Sequence, residues 1–202
     1  MFYEPRHGHG LPHDPSKAIV APRPIGWIST LSRDGVPNLA PYSFFNMVSG
    51  KPFSVMFSSD RPKDSARNAV ETGEFVANLA SRELARQMNA SSVDAPSEVS
   101  EFDYVGLEMA PSVLVKPPRV AAAPAALECR VSMAFHPKDA AGNEMESFIV
   151  MGEVVGVHID DSHIRDGRFD AALAGNLARL GYFDFLAVGE LFEMRRPKWG
   201  GE

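Results

Sequence analysis

A chain of 202 residues with 45% hydrophobic and 23% charged residues has a globular composition and can bury roughly 70% of its unfolded surface, which excludes a disordered chain and removes any need for disulfides or structural metal. Its formal net charge of −6 offers no field to attract nucleic acid or anionic membrane, so an anionic ligand must be held by local cations. The single cysteine, Cys129, excludes an intramolecular disulfide and points to a reducing, cytoplasmic setting. The opening MFYEPRHGHGLPHDP lacks the basic and apolar regions of a signal peptide. No stretch approaches the ~20 apolar residues that cross a bilayer.

The chain 1–202 reads as one domain, with an irregular arm over 1–17 rich in Pro, Gly and His. His7, His9 and His13 crowd that arm, but Gly8, Gly10 and Pro12 between them and the lack of acidic ligands argue against a metal site. From Ala18 to Ser32 the pattern predicts a strand, with Pro22 and Pro24 suited to its start or edge. Arg33-Asp34-Gly35 is a hairpin signal, with Gly35 free to take positive φ, and Val36 to Asn46 returns as the partner strand. Phe53 to Ser58 is a short apolar strand entered through Gly50-Lys51-Pro52. Asp64 suits the N-cap of a helix over Ser65–Glu71, which Thr72-Gly73 stops. Glu74 to Ala80 is apolar on both faces, as in a central strand, and Ser81 then caps a second helix through about Met88.

Residues 89–112 mix turn formers with Phe102, Tyr104 and Leu107, predicting an excursion that packs back on the body. Positions 127–135 alternate: Leu127, Cys129, Val131, Met133 and Phe135 point one way, and Glu128, Arg130, Ser132 and Ala134 the other. Cys129 therefore reads as a buried thiol, and Met133, Met145 and Met151 as barrel filler. Pro137 to Asn143 makes a turn, and Ser147 to Ile159 returns antiparallel as a long apolar strand. Asp160 to Arg168 is polar, Phe169 to Leu180 is helical or irregular, and Gly189 to Met194 suits a last strand. Many strands, frequent hairpins and short helices predict a mainly β fold, a barrel with peripheral helices.

Two segments carry chemistry. Ser58 and Ser59 end one strand, and Arg61, Lys63, Asp64 and Ser65 follow at once. A phosphate is satisfied by N–H groups at a helix start, by hydroxyls and by one or two cations, and all three fall within this run. Taken alone, such a run is more often a solvated, capped helix with incidental lysine and arginine. In NLAPYSFFN, the polar Asn38, Tyr42, Ser43 and Asn46 lie among Ala40, Pro41, Phe44 and Phe45. Small residues admit a ligand to the backbone, and amides and hydroxyls match the edge of a polar heterocycle. An edge strand with ordinary aromatic contacts fits the same residues.

PRPIGWIST, NLAPYSFFN, VMFSS, KDSARN and TGEFVAN together resemble the flavin reductase-like, FMN-binding split-barrel family, which includes the flavoredoxins. HGLPHDP, PPRVAAAPAALECR and ARLGY extend the resemblance along nearly the whole chain. It implies a six-stranded, antiparallel Greek-key split barrel, a homodimer, and FMN at the barrel edge near the subunit interface. Carried onto this sequence, Thr30 and Leu31 would lie by the flavin. Ala40, Pro41, Tyr42, Ser43 and Phe45 would line the ring, with Asn46 close by. Ser58, Ser59, Lys63, Asp64 and Ser65 would hold the phosphate, next to Asn68. Many relatives carry Arg-Leu-Gly-Gly and an aromatic near the C-terminus. Here Arg179-Leu180-Gly181-Tyr182-Phe183 has Tyr182 in place of the second glycine, and Arg179 and Tyr182 would meet flavin or nicotinamide.

The activity so implied is an NAD(P)H-dependent flavin reductase, with hydride passing from NADH or NADPH to flavin N5 and electrons onward to an acceptor or redox partner protein. Flavin carries the chemistry, so no side chain is assigned a catalytic role. The alternatives are a non-catalytic, flavoredoxin-like FMN electron carrier and a flavin-binding module without a nicotinamide site.

Overall fold

Two strands joined by only two residues stand at opposite edges of the main sheet. The computed structural model describes residues 1–200. Its seven-stranded sheet comprises β1 (Gly26–Leu31), β2 (Pro37–Tyr42), β3 (Phe45–Gly50), β4 (Phe53–Ser59), β5 (Glu74–Leu79), β6 (Ala125–Phe135) and β7 (Phe148–Ile159). The order is β2-β1-β5-β6-β7-β4-β3, with every pair antiparallel. Laid flat, seven strands would separate the edges by roughly 29 Å. Ser43 and Phe44, the whole connection between β2 and β3, let the chain cross about 11 Å. The sheet must therefore curl until its edges meet, which makes a split barrel. Across the seam the Tyr42 and Phe57 rings lie 4.9 Å apart. The Phe45 ring fills the space a side chain at Gly26 would need.

The barrel interior is packed by Ile28, Val55, Phe57, Phe75, Cys129 and Val150. Helix α2 (Asp64–Thr72) adds Ala66 and Ala69 to this core. It ends where Gly73, at φ +76°, turns its N–H back to the Ala69 carbonyl at 2.8 Å. Successive residues of β1 face opposite sides, so Trp27 joins a second cluster with Leu39, Met88, Phe102, Val120 and Leu177. Helices α3 (Ala85–Ala90) and α4 (Glu101–Val105) cover that outer face. A small sheet of Arg23–Pro24, Leu177–Arg179 and Phe185–Ala187 closes one end, beside the short α1 (Ser16–Ile19).

Several elements differ from the sequence pattern. The strand expected over Ala18–Ser32 is divided into α1, the two-residue strand Arg23–Pro24, and β1. Val36–Asn46 is divided at Ser43-Phe44 into β2 and β3, so there are seven sheet strands where the resemblance implied six. Asp64 is the first residue of its helix, and Lys63 occupies the cap position without a side-chain bond. Ser81 accepts the Leu84 N–H at 3.4 Å in a turn, and the helix proper starts only at Ala85. Phe102 is buried and Leu107 packs on its cluster, but Tyr104 is exposed. The last strand lies at Phe185–Ala187, and Gly189–Met194 has no regular structure.

The alternation over 127–135 misplaces Glu128 and Met133. Glu128 is fully buried because residues 112–116 lie across the outer face of β6. Met133, Met145 and Met151 do not fill the barrel: Met133 is 55% exposed, Met145 also faces solvent, and Met151 alternates outward beside the core residue Val150. Cys129 is a free, buried thiol whose pKa burial pushes well above the ordinary range.

Candidate functional site

A cleft of about 260 Å³ opens where the seam meets α2. Ala40, Pro41, Tyr42 and Ser43 at the end of β2 form one wall, and Ser58 and Ser59 at the end of β4 the other. Lys63, Asp64 and Ser65 form the floor, where α2 begins. The sequence folds this way because β2 and β4 both end at the seam, one before the Ser43-Phe44 connection and one before α2. The Phe44 carbonyl accepts the Ser58 N–H at 2.8 Å, pinning the two ends together.

Beneath this surface the polar groups are ordered. Asn38 Nδ2 donates to Ser65 Oγ at 2.8 Å, and both residues are buried. The Tyr42 hydroxyl meets Ser65 and Ser59; burial raises its pKa, so the phenol stays protonated as a donor. Among the described residues no side chain caps α2, which leaves its first-turn N–H groups available to a ligand.

Two cations and four carboxylates line the cleft: Lys17 and Lys63 against Asp60, Asp64, Asp94 and Glu101. Most of that negative charge is engaged. Asp64 pairs with Arg67 and accepts the Ser97 hydroxyl at 2.9 Å. Asp94 sits 3.2 Å from Lys63 Nζ. Glu101 is buried and accepts the Leu39 N–H at 2.9 Å; burial raises its pKa. An anion can therefore enter beside Lys17 and Lys63 without meeting a row of free carboxylates.

A wider groove of about 740 Å³ continues from this cleft, sharing Lys17, Pro41, Ser43 and Ser92 with it. Its far walls are His13, Arg23, Arg179, Tyr182, Phe183 and Phe185. The joined space thus has a hydroxyl-rich end and a basic, aromatic end. The first end carries the donor types that a phosphate needs.

The expected site residues fall into three groups. Ala40, Pro41, Tyr42, Ser43, Ser58, Ser59, Lys63, Asp64 and Ser65 converge on the cleft, and Arg179 and Tyr182 on the adjoining groove. Thr30 and Asn68 are buried behind it, Asn68 Nδ2 donating to Thr30 Oγ1 at 3.3 Å. Leu31, Phe45 and Asn46 lie elsewhere. Leu31 lines a separate cavity with Arg33, Glu71 and Lys116. Phe45 packs against the barrel core, and Asn46 points outward from β3. Both follow from the break at Ser43-Phe44, which sends the chain to the opposite sheet edge. Lys17, Arg23, Asp94 and Glu101 reach the site from segments that carried no signal of their own, except that Arg23 lies within PRPIGWIST.

Residues 20–174 match the family profile described as flavin reductase like domain. The chain belongs to that family. Membership assigns it a flavin cofactor and a flavin-related oxidoreductase function. An uncharacterized protein of Halalkalibacterium halodurans is 36% identical over 183 residues, covering 88% of this chain and 87% of the relative. An uncharacterized Bacillus subtilis protein, YwrF, is 32% identical over 88% and 89% of the two chains. Among solved structures, nitrilotriacetate monooxygenase component B from Bacillus cereus superposes with a TM-score of 0.86 at 27% identity, covering 96% of this chain and 98% of that one. Flavoredoxin of Desulfovibrio vulgaris shares the fold at a TM-score of 0.77, 22% identity, and coverage of 87% and 91%. Among the described residues, no helix is long and apolar enough to cross a membrane.

Proposed function

We propose that this flavoprotein binds FMN in the seam and takes hydride from NADH or NADPH as a flavin reductase, the whole chain working as one domain. The observation that carries this reading is the joined cavity, whose hydroxyl-rich cleft at an uncapped helix start opens into a basic aromatic groove. Ser58, Ser59, Ser65 and the first N–H groups of α2 would hold the phosphate, with Lys63 as the cation. Ala40 to Ser43 would lie along the ring, their small side chains and backbone groups setting its plane. Bound FMN supplies hydride acceptance and onward electron transfer. The chain's own task is to position that ring, keep water from one side of it and leave the groove side open to the donor.

The proposal includes a homodimer and passage of electrons to a partner. Met133, Met151 and Met56 form one cross-strand row on the outer barrel face, ending at Asn46 of β3. That apolar row offers area for a second copy.

Anaerobic mixing of the FMN-loaded protein with NADH and with NADPH tests the reading. Rapid bleaching of the flavin absorbance is expected with at least one. Bleaching by dithionite alone would overturn the reductase and leave an electron carrier. Failure to take up added FMN would overturn the cofactor assignment as well.

A further inference from the structure

Segment 189–199 follows the small sheet and has no regular structure. It carries Leu191, Phe192, Met194 and Trp199, all exposed, Phe192 and Met194 at 83%. Large apolar side chains so close together and so bare mark a surface that meets a partner. Beside them stand Arg195, Arg196 and Lys198, none with an ion-pair partner among the described residues. Glu193 lies 4.0 Å from Arg168, but both are exposed, and such a pair holds a segment only weakly.

A surface of matching chemistry lies on the β6–β7 hairpin. Met145 is exposed at its tip, and Met133 begins the outer row that Met151 and Met56 continue. Asp139, Glu144 and Glu146 rim the tip, all exposed, against one lysine, Lys138. Asp139 is engaged within the turn by Ala141 and Asn143. Glu144 and Glu146 point to no such partner among the described residues. The tip itself is held in place, because His136 Nδ1 donates to the Met145 and Ser147 carbonyls at 3.0 and 3.1 Å.

We propose that segment 189–199 of one copy lies across the β6–β7 hairpin of a second copy, and reciprocally. Phe192, Met194 and Trp199 cover the methionine surface, and Arg195 and Arg196 face Glu144 and Glu146. This rests on the homodimer of the proposed function and names the surface that forms it. The partner is a second copy because one chain carries both halves of the match, while its own segment stands clear of its own hairpin. A twofold axis then uses the match twice. Two aromatic rings from each copy, at roughly 150–250 Å² apiece, supply most of the ~1,000 Å² that a specific interface needs.

Sedimentation velocity of the full chain, over a range of protein and salt concentrations, tests the contact. The parent is expected to dimerise, more weakly as salt rises. Arg195→Glu combined with Arg196→Glu should raise the dimer Kd about tenfold or more, and so should Glu144→Arg combined with Glu146→Arg. All four changes together should bring the Kd back towards that of the parent, because the pairs are reversed and not removed. Phe192→Ala should weaken the dimer about tenfold as well. Melting temperatures of the diluted, monomeric variants should match the parent, since these side chains are exposed. If the parent dimerises and neither charge reversal moves its Kd, this contact is overturned and the homodimer stands on other surfaces. If each reversal weakens the dimer but the combination does not recover it, the two surfaces do not meet and the pairing is overturned. A parent that stays monomeric at every concentration overturns the homodimer and the contact together.

Discussion

The Glu128 carboxylate, fully buried on β6, meets the His158 imidazole on the neighbouring β7. It also accepts the N–H groups of Val113, Leu114 and Val115 at 2.7, 2.6 and 3.1 Å. One side chain thus ties a loop to the outside of the barrel.

Glu128→Ala is expected to destabilise the protein by roughly 3–5 kcal/mol, because three loop donors and the imidazole lose their acceptor. Urea unfolding measures this. A midpoint within error of the parent protein would contradict the role. Glu128→Gln should cost less, since an amide oxygen still accepts.

The same residue predicts an acid dependence. Burial raises the Glu128 pKa, but His158 and the loop N–H groups outweigh it and hold the pKa below the ordinary 4.5. A carboxyl lowered in the folded state contributes stability in full above its unfolded pKa. That contribution is lost as pH falls through the folded value. Urea midpoints between pH 6 and pH 3 should therefore drop below about pH 4.5 more steeply in the parent than in Glu128→Gln. Parallel curves would refute the prediction.

Lys63→Ala should weaken FMN binding by about tenfold or more, the effect of losing a charge-assisted contact worth ~1.5–3 kcal/mol. Its exposed pairing with Asp94 contributes little to folding. Thermal stability without flavin should accordingly hold. Asp94→Asn should leave FMN affinity equal or tighter, because it releases the lysine. Fluorescence titration reads both variants, and an unchanged affinity for Lys63→Ala would remove it from the phosphate site.

Phe45→Ala is expected to act on the fold first. The ring packs on the barrel core against Gly26, and removing it should cost about 3–5 kcal/mol. If the variant instead melts like the parent and loses FMN affinity, Phe45 belongs to the ring seat.

At Gly152 an added Cβ would lie 2.5 Å from Phe75 Cε1, inside a filled core. Gly152→Ala should destabilise by roughly 1–3 kcal/mol through overpacking, as read from the melting temperature. A neutral result would mean that Phe75 moves aside.

Much of the site was legible in residues 38–43 and 58–65, because hydroxyls, a cation and a helix start adjoin there in sequence as well as in space. The strand pattern failed where tertiary structure overrode periodicity. Glu128 occupies an outward position by alternation, yet a loop distant in sequence covers it and supplies donors. Phe45 and Asn46 read as a continuation of β2, because no glycine marks the break that sends them across the seam. Lys17 and Glu101 reach the cleft, and Arg23 the adjoining groove, from other segments, and no spacing rule links such segments.

The two-residue link between β2 and β3 makes the barrel a gauge of its own ligand site. The walls of the cleft, the ends of β2 and β4, are joined by the short link and β3 on one side and by β1, β5, β6 and β7 on the other, so the distance between them is the closing error of that circuit. A small change of twist or register anywhere on β5, β6 or β7 accumulates around that circuit and appears as a wider or narrower seam. Substitutions far from the cleft, on the back of the barrel, should therefore register as altered flavin affinity before they register as loss of fold.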